Sequence, residues 1–495
     1  MKRMSQFILS DFVEYRECPN QYTDTFIKEA EAVKISETDD LVRIAVSNGK
    51  IVKQRAYLTE FHFPKSVKFE IVPDADFAEF IGKIVDHSSH EDWDKEGDGV
   101  CAEFALDKVS ASAPVINIIN AICLEAIRKK VSDIHIQPER DVVRVRYRID
   151  GVLQTVKELG GNIFPAIATR IKVMAHLNVM EQRLPQDGRM KVEIDGILLD
   201  FRVSFVPVSF GESIVLRLFN TRAEISSIHE LGFSDLACQY FNQMSILPYG
   251  LILVTGPTGS GKTTTLHSLI GQMDRERKKI ITIEDPVERT VSYIDQVQVN
   301  DSIGLSFDVL LRRLLRQDPD VIMVGEIRDS QTADLAIRGA LTGHLILSTL
   351  HTNDCISTIT RLKDMGVESY LIAAVLKYIV AQRLVRCVCP HCMKFIPISS
   401  TIQKMSREFS LTITEVAEAV GCDKCSFTGY IGRIALSEIL KITPEIEEMI
   451  ATNALTSEIR EAVRREGMKS LQEDAFVKLA QGVTTIEELQ REGIV

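Results

Sequence analysis

The chain has 495 residues, 45% hydrophobic and 26% charged, and its 69 acidic side chains outnumber 58 basic ones for a formal net charge of −11. At roughly 100–200 residues per domain, that length implies three or four domains rather than one core. The acidic balance weighs against a dedicated duplex-DNA binder, which carries a basic footprint, and no run approaches the ~18 uncharged apolar residues of a membrane span.

Met1-Lys2-Arg3 is basic, but Asp11 and Glu14 break the apolar stretch that follows, so no secretory leader is expected. The chain is read as cytosolic, and its ten cysteines as buried, metal-bound or reactive rather than disulfide-paired. Residues 1–90 read as a small α/β module. Val42–Val46 and Val67–Val72 have strand character, and Asp76–Ile84 places Phe77, Phe80 and Ile81 on one helical stripe. Polar, acidic residues from His87 to about Pro114, with Gly97 and Gly99, read as a linker.

From Pro114 the pattern changes. Val115, Ile118, Ile119, Ile122, Cys123 and Ala126 recur at helical spacing and predict one buried face. Val143, Val145, Tyr147 and Ile149 then alternate with Arg144, Arg146 and Arg148, which predicts a strand with an arginine-bearing polar face. Asp150-Gly151 and Asp195-Gly196 are two-residue hairpin signals. A helix plus an antiparallel sheet is expected here. After a connector at Ala223–Gly232, the short apolar runs Leu251–Thr255, Ile280–Glu284, Val321–Val324 and Leu345–Ser348 are separated by helical stretches such as Ala333–Leu341. That alternation predicts a mostly parallel sheet covered by helices. Pro444–Val495 reads as charged amphipathic helices.

The chemistry concentrates in a few strings. Gly256-Pro257-Thr258-Gly259-Ser260-Gly261-Lys262-Thr263 matches the P-loop pattern in full, with a strand before it and helix-like Thr264–Met273 after it. The glycines let backbone N–H groups wrap phosphates, Lys262 reaches the β- and γ-phosphates, and Thr263 ligates Mg²⁺. Asp320–Glu326 is an apolar strand ending in an acid. Gly325 stands where an Asp is usual, so Glu326 is the candidate to polarise the attacking water. Thr282–Glu288 puts Glu284 and Glu288 near another strand end, suited to holding Mg²⁺ through water or orienting a nucleophile, or simply to a polar strand exit. His344 and His351 bracket the strand between them and suit a γ-phosphate sensor, although a lone histidine beside a strand is more often structural. Arg183, Arg189, Arg202 and Arg217 read first as a solvated sheet face. In a ring of nucleoside triphosphatases they could instead cross to a neighbour's phosphate. Cys389, Cys392, Cys422 and Cys425 form two CxxC pairs separated by 29 residues, a structural Zn²⁺ pattern, with a redox dithiol as the rival and Cys387 and His391 as spare ligands.

Taken together, these strings resemble the ATPase family that powers type II secretion and type IV pilus assembly. Further support comes from Ala113-Pro114-Val115, Ser132-Asp133-Ile134-His135-Ile136-Gln137-Pro138, Leu184-Pro185-Gln186-Asp187-Gly188-Arg189, Val324-Gly325-Glu326-Ile327-Arg328-Asp329 and Thr428-Gly429-Tyr430-Ile431-Gly432-Arg433. The resemblance runs from about Pro114 to the C-terminus. It implies a multidomain α/β protein whose RecA-like P-loop domain follows a PAS-like α+β domain. It also implies a homohexamer using ATP, Mg²⁺ and Zn²⁺, lying in the cytoplasm and held at the inner membrane by a platform protein and, through residues 1–90, by a membrane docking protein.

In that scheme Glu284 and Glu288 belong to the Asp box, Glu326 to the Walker B element, and His344 and His351 to the His box. Gly256 to Thr264 hold the nucleotide, and Arg189 and Arg202 are the best matches for phosphate-contacting arginines. The expected domains are 1–90 (docking), 114–222 (PAS-like), 232–385 (ATPase core), 386–433 (tetracysteine) and 434–495 (helical), with linkers at 91–113 and 223–231. The tetracysteine element and the long N-terminal region favour assembly or export over retraction. The competing readings are a DNA-uptake pilus motor or other nucleic-acid motor, and a scaffold that binds ATP without turning it over. No direct nucleic-acid contact is expected.

Overall fold

In the computed structural model, which describes residues 27, 31–38, 40–48, 58, 65–75, 77–78, 113–194, 197–219 and 225–495, the amino-terminal strands form where β-branched residues cluster. β1 (Ala32–Glu37) pairs antiparallel with β2 (Leu41–Ser47), which pairs parallel with β3 (Ser66–Val72). Val42, Ile44 and Val46 are fully buried with Ala32 and Leu58. Both strands expected here are present. Of the expected helix Asp76–Ile84, residues 77 and 78 are helical and the rest lies outside the described residues, as do residues 88–112 of the expected linker and Asp195-Gly196. The chain divides into two compact units, one of Met1–Glu125, Gly160–Met174 and Asn178–Met180, the other of Ala126–Leu159, Ala175–Leu177 and Glu181–Val495.

Helix α1 (Ala113–Arg128) buries Val115, Ile119, Ile122, Cys123 and Ala126, most of the predicted stripe. A six-stranded sheet in the order β6-β5-β4-β9-β8-β7 follows: β4 (Asp133–Pro138), β5 (Val142–Ile149), β6 (Val152–Gly160), β7 (Gln186–Ile194), β8 (Ile197–Val208) and β9 (Gly211–Phe219), with helix α2 (Phe164–Met174) between β6 and β7 in the chain. β5 has the predicted bounds. Val143, Val145 and Tyr147 are buried, and the three arginines lie on the other face. Asp150 and Gly151 both take positive φ, 47° and 83°, as a two-residue hairpin turn requires.

The larger unit also holds a seven-stranded sheet, ordered β12-β11-β13-β14-β10-β15-β18. Its members are β10 (Gly250–Thr255), β11 (Ile280–Glu284), β12 (Asp295–Gln298), β13 (Val321–Val324), β14 (Leu345–Leu350), β15 (Leu376–Val388) and β18 (Tyr430–Lys441). All neighbours run parallel except β15 and β18. β10, β11, β13 and β14 are buried along their whole length, as strands covered on both faces must be. One face packs against α3 (Asp235–Ser245) and α4 (Lys262–Gly271) through Ile252, Val254, Phe241 and Leu266. The other packs through Leu251, Leu253 and Ile322 against α5 (Phe307–Leu314), α6 (Ser330–Leu341), α7 (Cys355–Asp364) and α8 (Ser369–Val375). This is the expected α/β core.

β15 and β18 form a long antiparallel ribbon that closes where Cys389 N–H donates to Gly429 O at 2.8 Å. Inserted between them are the two-stranded sheet of β16 (Lys394–Pro397) and β17 (Glu415–Glu418) and helix α9 (Ser400–Glu408). The last segment is helical as expected: α10 (Pro444–Ala451), α11 (Thr456–Arg465), α12 (Leu471–Ala480) and α13 (Ile486–Arg491). Phe476, Leu479 and Leu489 pack with Val385 and Leu436 of the ribbon and with Ile402 and Val416 of the insertion. No helix among the described residues is long and apolar enough to cross a membrane.

The ribbon is pinned by one carboxylate. Glu488 is fully buried and accepts from Arg386 N at 2.9 Å, from the Arg386 guanidinium at 2.7 and 2.9 Å, and from Arg491 at 2.6 and 2.8 Å. Arg386 also lies 3.9 Å over the Tyr430 ring. Burial pushes the Glu488 carboxyl up, but the bonds from Arg491 and Arg386 outweigh it and hold the group below the usual carboxylate range. Removing it leaves the largely buried Arg386 guanidinium without its carboxylate, so Glu488→Ala should cost about 3 kcal/mol at neutral pH. Because the folded pKa is depressed, the wild-type advantage should be complete above about pH 4.3 and shrink as pH falls through the lower folded value. Urea unfolding of both proteins at pH 7 and pH 4 checks this; an equal gap at both pH values would contradict it.

Candidate nucleotide site and cysteine cluster

The parallel register sets the site. Thr255, the last residue of β10, lies level with Leu350, the last residue of β14, and with Ala381 of β15, so the segments after β10 and β14 emerge at one sheet edge, beside the part of β15 that runs on past it. The loop 256–261 continues from β10 into α4. Gly256, Gly259 and Gly261 take φ of 149°, 80° and 85°, which L side chains rarely adopt. A Cβ at Gly256 would collide with the Gln382 carbonyl. Pro257, Thr258 and Gly259 form an exposed tip, Ser260 is buried, and Thr263 and Thr264 are half-buried in the first turn of α4. Lys262 is buried and donates to Gly256 O at 2.8 Å and Pro257 O at 3.0 Å, the places a phosphate's oxygens would take over. Desolvation, with a smaller push from Arg383 and opposition from Glu326, brings its pKa down to about 8.

Glu326 follows β13 at the same edge. His351, just past β14, places Nε2 3.2 Å from one carboxylate oxygen, and Arg328 donates to the other. Burial raises the carboxyl, but Arg328 and His351 prevail and keep it ionised, as a group that accepts a proton from water must be. Arg328 also lies 3.8 Å from Asp285. Gly325, which stands where an Asp is usual, is tightly packed: a Cβ there would sit 3.0 Å from Ile283 O and 3.5 Å from the Phe307 ring.

Other expected residues are placed differently. His344 lies at the opposite end of β14, beside Gly250 at the start of β10 rather than beside the loop after it, and its Nδ1 is 2.9 Å from Gly339 O. Six residues of strand, about 20 Å, separate the two histidines. The pair is not gathered at one phosphate, and of the two His351 shares the loop's edge. Glu284 is 2% exposed with both oxygens taken, one by His267 of α4 at 3.2 Å and the other by Thr282 at 2.6 Å and Gln296 at 3.0 Å. It joins α4 to β11 and β12 instead of facing an open ion site. Glu288 is exposed.

Across the six-stranded sheet, Arg148, Asp133, Arg217, Arg202 and Arg189 stand in one cross-strand row. Arg217 pairs with Asp133 at 2.7 Å and Arg189 grips Asp200 with two bonds of 2.7 Å. Arg202 has no carboxylate partner among the described residues, and Arg183 is almost fully exposed beside Glu181.

Two contributors went unnoticed in the sequence. Gln382, 1% exposed in β15, bonds the loop at Ser260 O, 2.8 Å. Its signal was a lone amide inside an apolar strand run. Thr255, Thr352 and Thr358 form a hydroxyl chain with 2.6 Å links, which ties the His351 loop to the end of β10. Threonines at strand and helix ends carry no distinguishing pattern.

The four cysteines Cys389, Cys392, Cys422 and Cys425 converge with all sulfurs within 4.8 Å of one another. Three of the Sγ–Sγ distances are 3.9 Å. A tetrahedron of Zn–S bonds near 2.3 Å has edges of about 3.8 Å, so the set fits zinc with no open coordination position. Backbone N–H groups of Cys422 and Gly429 point at Cys425 Sγ from 3.1 and 3.2 Å, and Gly421 N–H points at Cys392 Sγ from 3.3 Å, as thiolates favour. Cys387 and His391 are outside the cluster.

Two outcomes are expected. Metal analysis should find about one Zn²⁺ per chain, lost in Cys392→Ser together with resistance of the 389–429 insertion to proteolysis; metal-free wild-type protein with an intact insertion would contradict this. MgADP affinity, followed by titration calorimetry from pH 7 to 9.5, should be flat below about pH 8 and fall above it, because free Lys262 loses its proton there and must regain it to hold phosphate. A flat profile to pH 9.5 would exclude that coupling.

Comparison with known proteins agrees with this geometry. The sequence model of the family described as "Type II/IV secretion system protein" matches residues 108–491. The chain is 44% identical over 381 residues to the putative type II secretion system protein E of Escherichia coli K12, covering 77% of each. It is 43% identical over 390 residues to the type IV pilus assembly ATPase PilB of Myxococcus xanthus, covering 78% of this chain and 69% of that one. The crystal structure of the pilus retraction motor PilT with bound ADP superposes with a TM-score of 0.52 at 26% identity, covering 76% of this chain and 96% of PilT. With a RecA-like core, a complete phosphate loop and an ionised glutamate at the same sheet edge, this chain is an ATPase of the type II/IV secretion system protein family.

Proposed function

We propose that the chain is a ring-forming motor in which ATP hydrolysis drives the addition of pilin-like subunits to a filament at the inner membrane, for type IV pilus assembly or type II secretion. The observation that carries the chemical part is the shared edge of the phosphate loop and Glu326. Lys262 and the loop N–H groups hold the β- and γ-phosphates, Thr263 ligates Mg²⁺, and Glu326 takes a proton from the attacking water while His351 and Arg328 fix its orientation. Relatives named for secretion and for pilus assembly support the coupling to a filament. The ring reading draws on the arginine row: Arg202 has no carboxylate partner among the described residues, whereas Arg189 and Arg217 are already engaged. We assign Arg202 to a phosphate bound by a neighbouring subunit. Residues 1–90 are assigned to docking on a membrane partner.

Glu326→Gln should hold nucleotide and lose about 100-fold or more in turnover, as removal of a general base does; near wild-type turnover would remove Glu326 from that role. Arg202→Ala should bind nucleotide yet turn it over slowly, and mixing it with Lys262→Ala should restore part of the activity, since some interfaces then combine an intact loop with an intact arginine. Absence of restoration in mixed rings would argue against contact between subunits. In the native host, Lys262→Ala separates the outputs: loss of surface pili with normal export marks a pilus motor, the converse a secretion motor, and no change in either rejects the filament reading.

A further inference from the structure

The phosphate loop is held from outside by a strand that nothing above assigns to nucleotide binding. Gln382 of β15 spans the loop and the helix that follows it. Its Nε2 donates to Ser260 O at 2.8 Å, and its Oε1 accepts from Thr265 Oγ1 of α4 at 2.8 Å. Gln382 and Thr265 are 1% and 0% exposed, so water cannot replace either bond. The fit is close: a Cβ on Gly261 would lie 3.0 Å from the Gln382 amide nitrogen, and one on Gly256 would strike the Gln382 carbonyl. Two of the loop's glycines therefore leave room for this strand as well as for a positive φ.

The consequence follows from peptide geometry. In a planar trans peptide the carbonyl and the next N–H point in opposite directions. Drawing Ser260 O toward β15 turns the Gly261 N–H away from β15, toward the side where the loop's N–H groups meet phosphate. No backbone carbonyl accepts that N–H among the described residues. The Thr265 hydroxyl fixes which end of the amide faces Ser260, since Oε1 is the end that accepts from it. We propose that Gln382 is a positioning residue for nucleotide binding, one that presets the phosphate-cradling orientation of the Ser260–Gly261 peptide without touching the nucleotide. The proposal rests on the reading of residues 256–263 as the phosphate loop.

The test is binding of MgADP and steady-state hydrolysis of MgATP by the full-length protein, each at a temperature where circular dichroism shows the variant folded. Gln382→Leu keeps the volume and removes both bonds. It should weaken MgADP binding and raise KM for MgATP by about tenfold, the scale of one buried hydrogen bond, with the loss falling on KM more than on kcat. Thr265→Val, which frees the amide to turn over, should shift KM in the same direction by less, and Thr265→Ser, which keeps the hydroxyl, should restore it. If Gln382→Leu does not fold, the two Thr265 variants carry the test. A residue that only packs the core would lower the melting temperature and leave the affinity of the folded protein unchanged. That result, or a loss confined to kcat, or equal KM for Thr265→Val and Thr265→Ser, would overturn the proposal. Wild-type protein that fails to bind MgADP would overturn the phosphate-loop reading itself; wild-type binding matched by Gln382→Leu would overturn the Gln382 assignment alone.

Discussion

Parallel pairing on both edges of β10 is the constraint on which the rest of the ATPase core depends. A parallel strand flanked by two others has no free edge and, with helices on both faces, no solvent contact. Its register is therefore rigid, and the chain leaving it can do chemistry at only one place, the carboxyl edge. Level with Thr255 stand Leu350, the last residue of β14, on one side and Ala381, midway along β15, on the other. The first brings His351 to the site and the second brings Gln382. Glu326 arrives from β13, one strand further out, and meets His351 across the end of β14.

The same register explains why acids and histidines of similar appearance have different fates. Glu326 lies past the end of its strand, reachable by water and held ionised by a cation and an imidazole. Glu284 closes a strand between α4 and β12, where burial would protonate it if three donors did not enclose it. His351 and His344 stand at opposite ends of one strand, so one sits beside Glu326 and the other beside a backbone carbonyl.

β15 links regions that appear unrelated along the chain. Over Gln382 to Cys389, the strand and the residue that follows it reach the phosphate loop at Gln382, the buried carboxylate of the last helix at Arg386, and the cysteine cluster at Cys389. The cysteine cluster, the Glu488 clamp and the apolar cluster around Phe476 all adjoin the same ribbon. The insertion between β15 and β18 is too small to bury a large core, and its four converging cysteines fit a tetrahedral metal that would supply a cross-link there.

Local patterns and short motifs carry physical requirements that neighbours in sequence can satisfy, and those were legible without coordinates. Strands β5, β10, β11, β13 and β14, the phosphate loop, the cysteine pairs and the arginine-bearing face follow from periodicity, from glycine's freedom at positive φ and from ligand spacing. Strand order and register were not legible, because residues such as Thr265 and Gln382, or Arg386 and Glu488, meet only after more than a hundred intervening residues have folded. The tertiary structure alone decided that Arg189 is engaged while Arg202 has no carboxylate partner among the described residues, that Glu284 is enclosed, and that His344 lies far from the loop. Each depends on which strand end faces which partner, and hydrophobic alternation within a single strand does not encode that.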